Sequence, residues 1–296
     1  MSDHRESRLE QLQLRGLRYN IRHWGPEDGD RVFLLHGWMD ASATFQFVVD
    51  ALSPRWHVIA PDWRGYGRSE WLGRPYWFPD YYADLDALLR HYSPERPARL
   101  VGHSMGANIA GVYAGARPQR VAQLAMLDFL GLKTTDPATA PEHLGKWLDG
   151  IQEDPQLRRY PDQAKLARRL RCSNPRLTAA RADFLAGHVS HVLPDGQVAM
   201  ACDPWHKIAS PSLFRIHDTM AYWRGITAPV LMLIAEHGFV QHRFGADPEE
   251  YQRRLACFAR LQRVTVPEAG HNLQHDQPEF VAAALDAFLQ PDDALP

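Results

Sequence analysis

A serine stands at the centre of the motif whose residue types could do chemistry. Gly102-His103-Ser104-Met105-Gly106 follows a short apolar run and precedes a stretch of small residues typical of a helix. A tight turn from strand to helix accepts only small residues on either side of Ser104 and lifts its hydroxyl clear of a sheet. The free N–H groups of the following helix would face negative charge that develops there. This placement predicts that Ser104 is a nucleophile.

A serine hydroxyl reacts only when a base removes its proton. His271, in Gly270-His271-Asn272, follows the apolar segment 264–266 and precedes the last amphipathic stretch of the chain. The base that serves a nucleophile of this kind is expected at that point of the topology. Because the other histidines lie elsewhere, we predict that His271 is the base.

Backbone donors are needed to stabilise the oxyanion of a tetrahedral intermediate. Met105, directly after the nucleophile, supplies one N–H. The second is expected in the loop after the first central strand, where His36-Gly37-Trp38-Met39 lies. We assign it to the N–H of Trp38, and we expect the Trp38 indole and His36 at the wall of a substrate pocket.

The elements that must position these residues alternate along the chain. Short continuous apolar runs predict strands buried on both faces at 32–35, 58–60, 100–101, 124–127, 229–235 and 264–266. Amphipathic stretches such as 80–91 and 278–289 predict helices, and Ser42 is a candidate cap for another over 43–52. Polar–apolar alternation over 12–24 predicts a strand pair at the sheet edge. Together they predict an α/β fold with a mostly parallel sheet flanked by helices.

The strand pattern stops after Gly131 and resumes only beyond Trp223. The residues between them are rich in proline and polar side chains, yet apolar residues recur throughout. We interpret residues 132–222 as a helical insertion, with residues 1–131 and 223–296 forming the core domain.

Composition excludes several classes of protein. The 296 residues contain 23% charged and 45% hydrophobic side chains with a formal net charge of −2, which excludes a disordered chain and gives no sign of a nucleic-acid partner. No apolar run is long enough for a membrane helix, and the polar N-terminal segment has no signal-peptide pattern. Three dispersed cysteines and no metal-ligand cluster predict no disulfide framework, metal or cofactor. We expect a soluble cytoplasmic protein of unspecified oligomeric state.

The motifs together resemble the α/β-hydrolase superfamily from about residue 30 to 290. The matching segments are His36-Gly37, Asp62-Trp63-Arg64-Gly65-Tyr66-Gly67-Arg68-Ser69, the turn at Ser104, Gly270-His271 and His275-Asp276-Gln277-Pro278. The resemblance implies the α/β-hydrolase fold, with the insertion as a helical cap above the site. It also implies that Asp62 and Arg64 brace their turn instead of taking part in chemistry.

The sequence departs from this family at the acid that orients the base. Members usually carry an Asp just past the strand read here as 230–235, but this chain has Gly238 at that place. Some members similar to this chain take the acid from the end of the preceding strand, where Asp128 lies. We therefore prefer Asp128, with Glu236 as the alternative acid, and the absence of a working acid stays open.

The resemblance implies a serine hydrolase that cleaves an ester, or a related acyl or C–C bond, of a small and largely apolar molecule. Lactone and perhydrolase chemistry also stay open. Trp147, Phe184 and Trp205 of the insertion are expected to line an apolar pocket. The alternative is a non-enzymatic ligand-binding receptor with a decayed triad, which the missing acid at Gly238 suggests.

Overall fold

The computed structural model describes residues 4–289; residues 1–3 and 290–296, at the two ends of the predicted core domain, lie outside the described range. The strands are β1 (Ser7–Leu14), β2 (Leu17–Trp24), β3 (Asp30–Leu35), β4 (Trp56–Pro61), β5 (Ala98–His103), β6 (Val121–Leu127), β7 (Arg159–Tyr160), β8 (Ser190–Val192), β9 (Val198–Met200), β10 (Val230–Ala235) and β11 (Leu261–Val266). The helices are α1 (Gln46–Ala51), α2 (Pro79–Tyr92), α3 (Met105–Ala116), α4 (Ala140–Gly150), α5 (Gln163–Ser173), α6 (Ala179–His188), α7 (Ile216–Arg224), α8 (Phe239–Phe244), α9 (Pro248–Leu255), α10 (Leu273–Asp276) and α11 (Pro278–Phe288). None of the helices between residues 4 and 289 combines the length and apolar character that membrane crossing requires.

Within residues 4–289, eight strands form the central sheet, in the order β1-β2-β4-β3-β5-β6-β10-β11. β2 pairs antiparallel with both β1 and β4, and every other neighbouring pair is parallel. This confirms the predicted mostly parallel sheet and the strand pair at its edge. The carboxyl ends of β3, β5, β6, β10 and β11 therefore lie along one edge of the sheet.

Both faces of the sheet are covered by helices, which explains the continuous apolar runs. Side chains alternate across a strand, so Phe33 and Leu35 face a core that includes residues of α2, α3 and α7. Val32 and Leu34 face the second core, which includes residues of α1 and α11. Burial of each strand on two sides leaves no polar face to interrupt its apolar sequence.

The turn after β4 is held by buried polar contacts. The Asp62 carboxylate accepts hydrogen bonds from Ser42 N at 2.7 Å and Asn20 Nδ2 at 2.8 Å. The Arg64 guanidinium binds the Asp84 carboxylate through two nitrogens, one of them at 2.6 Å. Asp62 and Arg64 thus brace the turn, as the resemblance implies.

The helix expected over 43–52 begins differently from the prediction. Ser42–Phe45 is a 3₁₀ turn that continues into α1. The Ser42 hydroxyl does not cap it; it accepts a hydrogen bond from Arg22 Nε at 3.4 Å. The carboxylate of Asp40 lies at this turn instead and accepts a hydrogen bond from Ala41 N at 3.0 Å. Neither the 3₁₀ turn nor α1 has a side-chain cap, so the cap predicted at Ser42 is wrong.

The segment 132–222 contains no strand of the central sheet among its described residues. It holds α4, α5 and α6, and β7, β9 and β8 form a separate antiparallel sheet. These strands have only two or three residues each, too few to produce a readable alternation, so the sequence did not predict them. α7 crosses the predicted boundary at 222/223, and its Trp223 lies against Gly111 of α3.

Candidate active site

The turn between β5 and α3 holds Ser104 in a strained backbone conformation, with φ at 51°. A Cβ at Gly102 would lie 2.5 Å from Ala107 N, and one at Gly106 would lie 2.0 Å from Leu35 O. Only glycine fits these two positions, so the local sequence allows the tight turn. Positive φ at a non-glycine residue is costly and is maintained where the surroundings determine it, often at functional sites.

His271 lies between a hydroxyl and a carboxylate. Its Nε2 is 3.0 Å from Ser104 Oγ, and its Nδ1 is 2.8 Å from Asp128 Oδ2. Because an ionised carboxylate only accepts, Nδ1 carries the proton and Nε2 is free to accept from the serine hydroxyl. The structure therefore brings Ser104, His271 and Asp128 into one chain of contacts.

Asp128 follows β6 with φ at 47° and is fully buried. Its carboxylate also accepts hydrogen bonds from Ala235 N at 3.2 Å and Phe239 N at 2.6 Å. These backbone donors come from the end of the neighbouring parallel strand β10 and the start of α8. A Cβ at Gly238 would lie 2.4 Å from Asp128 Oδ2, so the glycine leaves room for the carboxylate that comes from the adjacent strand.

Glu236, the alternative acid, lies away from His271. Its carboxylate accepts a hydrogen bond from Glu268 N at 2.9 Å, and its side chain is nearly half exposed. Together with His237 and Glu268 it forms the one group of described residues that could hold a metal ion, with ligand atoms within 4.8 Å of one another at the surface. This group does not include any of Ser104, His271 and Asp128.

The loop after β3 approaches the serine closely. A Cβ at Gly37 would lie 3.0 Å from His103 Nδ1 and 3.3 Å from Ser104 Cβ, so any side chain there would crowd the serine. The Trp38 side chain is 55% exposed, whereas Met105 is buried at the start of α3. The backbone of this loop and the start of α3 thus flank Ser104 from two sides.

His36 requires a correction, because it does not line the cavity beside Ser104. It is fully buried, donates from Nδ1 to Gly37 O at 2.7 Å and accepts from Trp63 N at 2.9 Å. Burial lowers the pKa of His36 to about 4. The imidazole is therefore neutral near pH 7 and joins the loop after β3 to the turn after β4.

His103 connects the loop of the base to the turn of the nucleophile. Its Nε2 donates to the carbonyl of His271 at 2.8 Å, and its Nδ1 is 3.3 Å from Gln274 Nε2. A carbonyl only accepts, so the proton is on Nε2 and Nδ1 accepts from the amide. Burial is the largest cause of a pKa of His103 well below its usual value. The sequence placed His103 beside Ser104 but contained no signal for this contact.

A cavity of about 190 Å³ adjoins Ser104 and His271. Core residues and residues of the insertion line it together: Trp38, Met39, Asp40, Thr44, His103, Ser104, Leu170, Ser173, Asn174, Leu177, Leu185, Val189, Met200, His271, Asn272 and His275. Trp38 stands at its wall, as predicted. A larger groove of about 560 Å³ lies at the opposite edge of the sheet, beside the first residues of β6 and β10, and is remote from Ser104.

The three aromatic residues predicted to line the pocket lie elsewhere and need correction. Phe184 packs against Phe47, with ring centroids 5.3 Å apart, and the next residue on the helix, Leu185, lines the cavity in its place. Trp147 is partly exposed on α4, a helix with no buried residue. Trp205 lies in a 3₁₀ turn of the insertion. Aromatic composition shows that a pocket can be lined but not which helix face meets it.

The sequence did not point to several polar residues of the cavity lining, namely Asp40, Thr44, Ser173, Asn174, Asn272 and His275. Asp40 is the acidic one among them. It lies next to the predicted Trp38 and Met39 in the same loop, which is the signal that could have found it. Burial raises the pKa of its carboxyl to about 7. The apolar lining from α5 and α6 had no comparable signal, because it depends on how the insertion packs onto the core.

Comparison with known proteins agrees with this architecture. A serine hydrolase-like protein of Danio rerio is 29% identical over 279 residues, which cover 90% of this chain and 84% of the relative. Serine hydrolase-like protein 2 of Homo sapiens is 25% identical, with 92% of this chain and 91% of the relative covered. Among solved structures, a thioesterase domain from the curacin biosynthetic pathway superposes with a TM-score of 0.84 at 25% identity, covering 95% of this chain and 99% of that domain.

The sequence model of the α/β-hydrolase fold family matches residues 30–278. That range includes the central sheet from β3 to β11 and the residues that contact His271, namely Ser104, Asp128 and His103. The serine hydrolase-like relatives support a hydrolase. Since the match covers most of the chain and the sheet has the order described above, the protein belongs to the α/β-hydrolase fold family.

Proposed function

We propose that the protein is a serine hydrolase that cleaves an ester, or a related acyl bond, of a small and largely apolar substrate. The observation that carries the proposal is the continuous contact from Asp128 through His271 to Ser104 Oγ. The relatives from Danio rerio and Homo sapiens are serine hydrolase-like proteins, which supports the same class of chemistry.

The geometry suits a two-step acyl transfer. His271 takes the proton of Ser104 as the hydroxyl oxygen attacks the substrate carbonyl, and it then protonates the leaving group as the carbonyl re-forms. An acyl-enzyme on Ser104 remains. Water, deprotonated by the same imidazole, attacks this ester and releases the acid. Asp128 holds the imidazole in the tautomer that both steps need.

Two backbone N–H groups would stabilise the oxyanion of each tetrahedral intermediate. We assign them to Trp38, in the loop that approaches Ser104 closely, and to Met105, whose N–H lies at the amino end of α3. Donors in place before the reaction need no reorganisation as charge develops. The proposal needs no metal or cofactor.

The insertion 132–222 serves in this proposal as a cap over the mouth of the site. Leu170, Leu185 and Met200 of the insertion line the same cavity as Ser104. Apolar walls contributed by a cap exclude water and favour an apolar acyl or alcohol group. A small-molecule substrate fits a cavity of about 190 Å³.

The receptor alternative was motivated by Gly238, the position where the acid is usually found. Asp128 Oδ2 occupies the space beside that glycine and contacts His271. Gly238 is therefore no longer a reason to expect a decayed triad, and no other contact described for the site favours a receptor over a hydrolase.

Replacement of Ser104 by alanine tests the proposed function. We expect hydrolysis of p-nitrophenyl esters to fall by a factor on the order of 10⁶, as for loss of the nucleophile in a serine protease. A fluorophosphonate probe should label the wild type and leave Ser104→Ala unlabelled. The melting temperature should change little, because the hydroxyl is partly exposed.

Ser212→Ala is the matched control, since Ser212 is an exposed serine outside the cavity. It should keep both turnover and labelling. A Ser104→Ala protein that still hydrolyses esters, or a wild type that neither turns over esters nor reacts with the probe, would overturn the assignment.

A further inference from the structure

Asp40 lines the cavity beside Ser104 and is the acidic residue of its described lining. It lies in the loop between β3 and the 3₁₀ turn Ser42–Phe45, where Oδ1 accepts from Ala41 N at 3.0 Å and Oδ2 lies 3.0 Å from the Thr44 hydroxyl. Each carboxylate oxygen can accept about two hydrogen bonds. These contacts hold the group in one orientation and leave it able to accept further hydrogen bonds from a molecule in the cavity.

The described residues give this carboxyl no cationic partner. Among the described residues that line the cavity there is no lysine or arginine, and Asp40 supplies the one carboxyl. The other titratable side chains of the lining are His103, His271 and His275, and burial lowers the pKa of His103 well below its usual value and that of His275 to about 3. Burial raises the pKa of Asp40 to about 7, as expected for a carboxyl that no cation stabilises.

Six apolar side chains in the cavity lining offer space for a short apolar chain, beside the polar residues Thr44, Ser173, Asn174 and Asn272. Met39, Leu170, Leu177, Leu185, Val189 and Met200 form its apolar walls. Its volume of about 190 Å³ equals that of roughly six water molecules at ~30 Å³ each. The cavity thus combines a short apolar space with one acidic group at a fixed position.

We propose that Asp40 determines specificity by binding an ammonium group of the substrate, so that the site accepts short apolar substrates that carry an amine and rejects those that carry a carboxylate. An ammonium group donates up to three hydrogen bonds and brings the positive charge that is missing around the Asp40 carboxylate. A hydroxyl group can donate a hydrogen bond but brings no charge. Above pH 7 the Asp40 carboxyl is ionised, because its pKa is about 7, and a substrate carboxylate would then meet a like charge in a site of low dielectric constant. The inference rests on the proposed function, because it assigns the substrate class of that same site.

Binding to the Ser104→Ala protein tests the proposal without turnover. NMR titration at pH 8, above the pKa of about 7 of the Asp40 carboxyl, with n-butylammonium, 1-butanol and butyrate compares three probes of similar size and different charge. We expect butylammonium to bind about 10-fold tighter than butanol or better, and butyrate to bind most weakly. If butanol or butyrate binds as tightly as butylammonium, the proposal is wrong. This comparison uses a single protein, so it does not depend on whether an Asp40 variant folds.

Asp40→Asn in the same background removes the charge and retains the shape. The ratio of the butanol to the butylammonium dissociation constant should fall to about one. Asp162→Asn is the matched control, because Asp162 caps α5 outside the cavity; it should keep the full preference. A folded Asp40→Asn protein that still prefers butylammonium would also contradict the proposal.

The two proposals can fail separately. If wild type hydrolyses p-nitrophenyl esters and the three probes show no ranking, the specificity assigned to Asp40 is wrong and the hydrolase stands. If butylammonium binds preferentially but the wild-type protein neither hydrolyses esters nor reacts with fluorophosphonate at Ser104, the cavity recognises an amine and the proposed hydrolysis is wrong.

Discussion

Asp128 is held by two backbone donors and one imidazole, and this arrangement predicts how its replacement acts. In Asp128→Asn the amide can donate to His271 Nδ1 and favour the tautomer that cannot accept the serine proton. We expect turnover of p-nitrophenyl acetate to fall by about 10⁴-fold, as for the equivalent change in a serine protease. Steady-state kinetics and circular dichroism would separate this effect from loss of folding.

Glu236→Gln is the control for Asp128→Asn, because Glu236 is the alternative acid. Glu236 contacts Glu268 N at the surface and not His271, so this variant should retain turnover close to that of the wild type. If Glu236→Gln causes the larger loss, the acid has been assigned to the wrong carboxylate.

At the scale of elements, the adjacent ends of β6 and β10 share one space near His271. A Cβ at Gly238 would lie 2.4 Å from Asp128 Oδ2 and 2.6 Å from Ala235 Cβ. Gly238→Ala should therefore displace the carboxylate, lower turnover by roughly 10²-fold and destabilise the fold by about 1–3 kcal/mol, the usual cost of overpacking. Kinetics and urea unfolding of the same preparation would measure both.

Gly145→Ala is the control for the effect of a methyl group on a glycine. Gly145 lies within α4, and an added Cβ would meet nothing within 4 Å. This variant should gain about 0.5–1 kcal/mol of stability from helix propensity and retain turnover. A Gly238→Ala enzyme with normal kinetics would show that the two strand ends do not compete for space.

At the scale of the whole molecule, buried histidines predict that stability falls in mild acid. Burial lowers the pKa to about 4 for His23 and His36 and to about 3 for His206 and His275. Below pH 6.5 the unfolded chain binds protons that the folded protein does not, so the free energy of unfolding decreases from about pH 6.5 to about pH 4. Each uncompensated proton contributes about 1.4 kcal/mol per pH unit.

Urea unfolding at pH 7.5, 6 and 5 would measure this decrease, and a constant or rising stability would contradict it. Asp40 acts in the opposite direction, because its pKa of about 7 in the folded protein means that it retains a proton the unfolded chain releases. Asp40→Asn should therefore make the decrease steeper between pH 7 and 5.

The local sequence was sufficient to predict the structure where neighbouring residues alone determine the backbone conformation. Glycines at 102 and 106 permit the turn at Ser104 because any side chain there would meet backbone atoms at 2.0–2.5 Å. Continuous apolar runs predicted the parallel strands because strands buried on two faces have no polar side. The comparison with known proteins and the sheet order confirm the fold expected from these motifs.

The sequence by itself thus determined the fold class, the turn at Ser104 and the place of His271 in the topology, since each depends on neighbouring residues and on burial. Only the tertiary structure decided which carboxylate meets His271, because the pairing of β6 with β10 brings Asp128 and Gly238 together from 110 positions apart in the chain. It also decided that Leu185 and not Phe184 lines the cavity, and that Asp40 faces it. Those outcomes depend on how the insertion packs against the core, and no local pattern encodes a contact between distant segments.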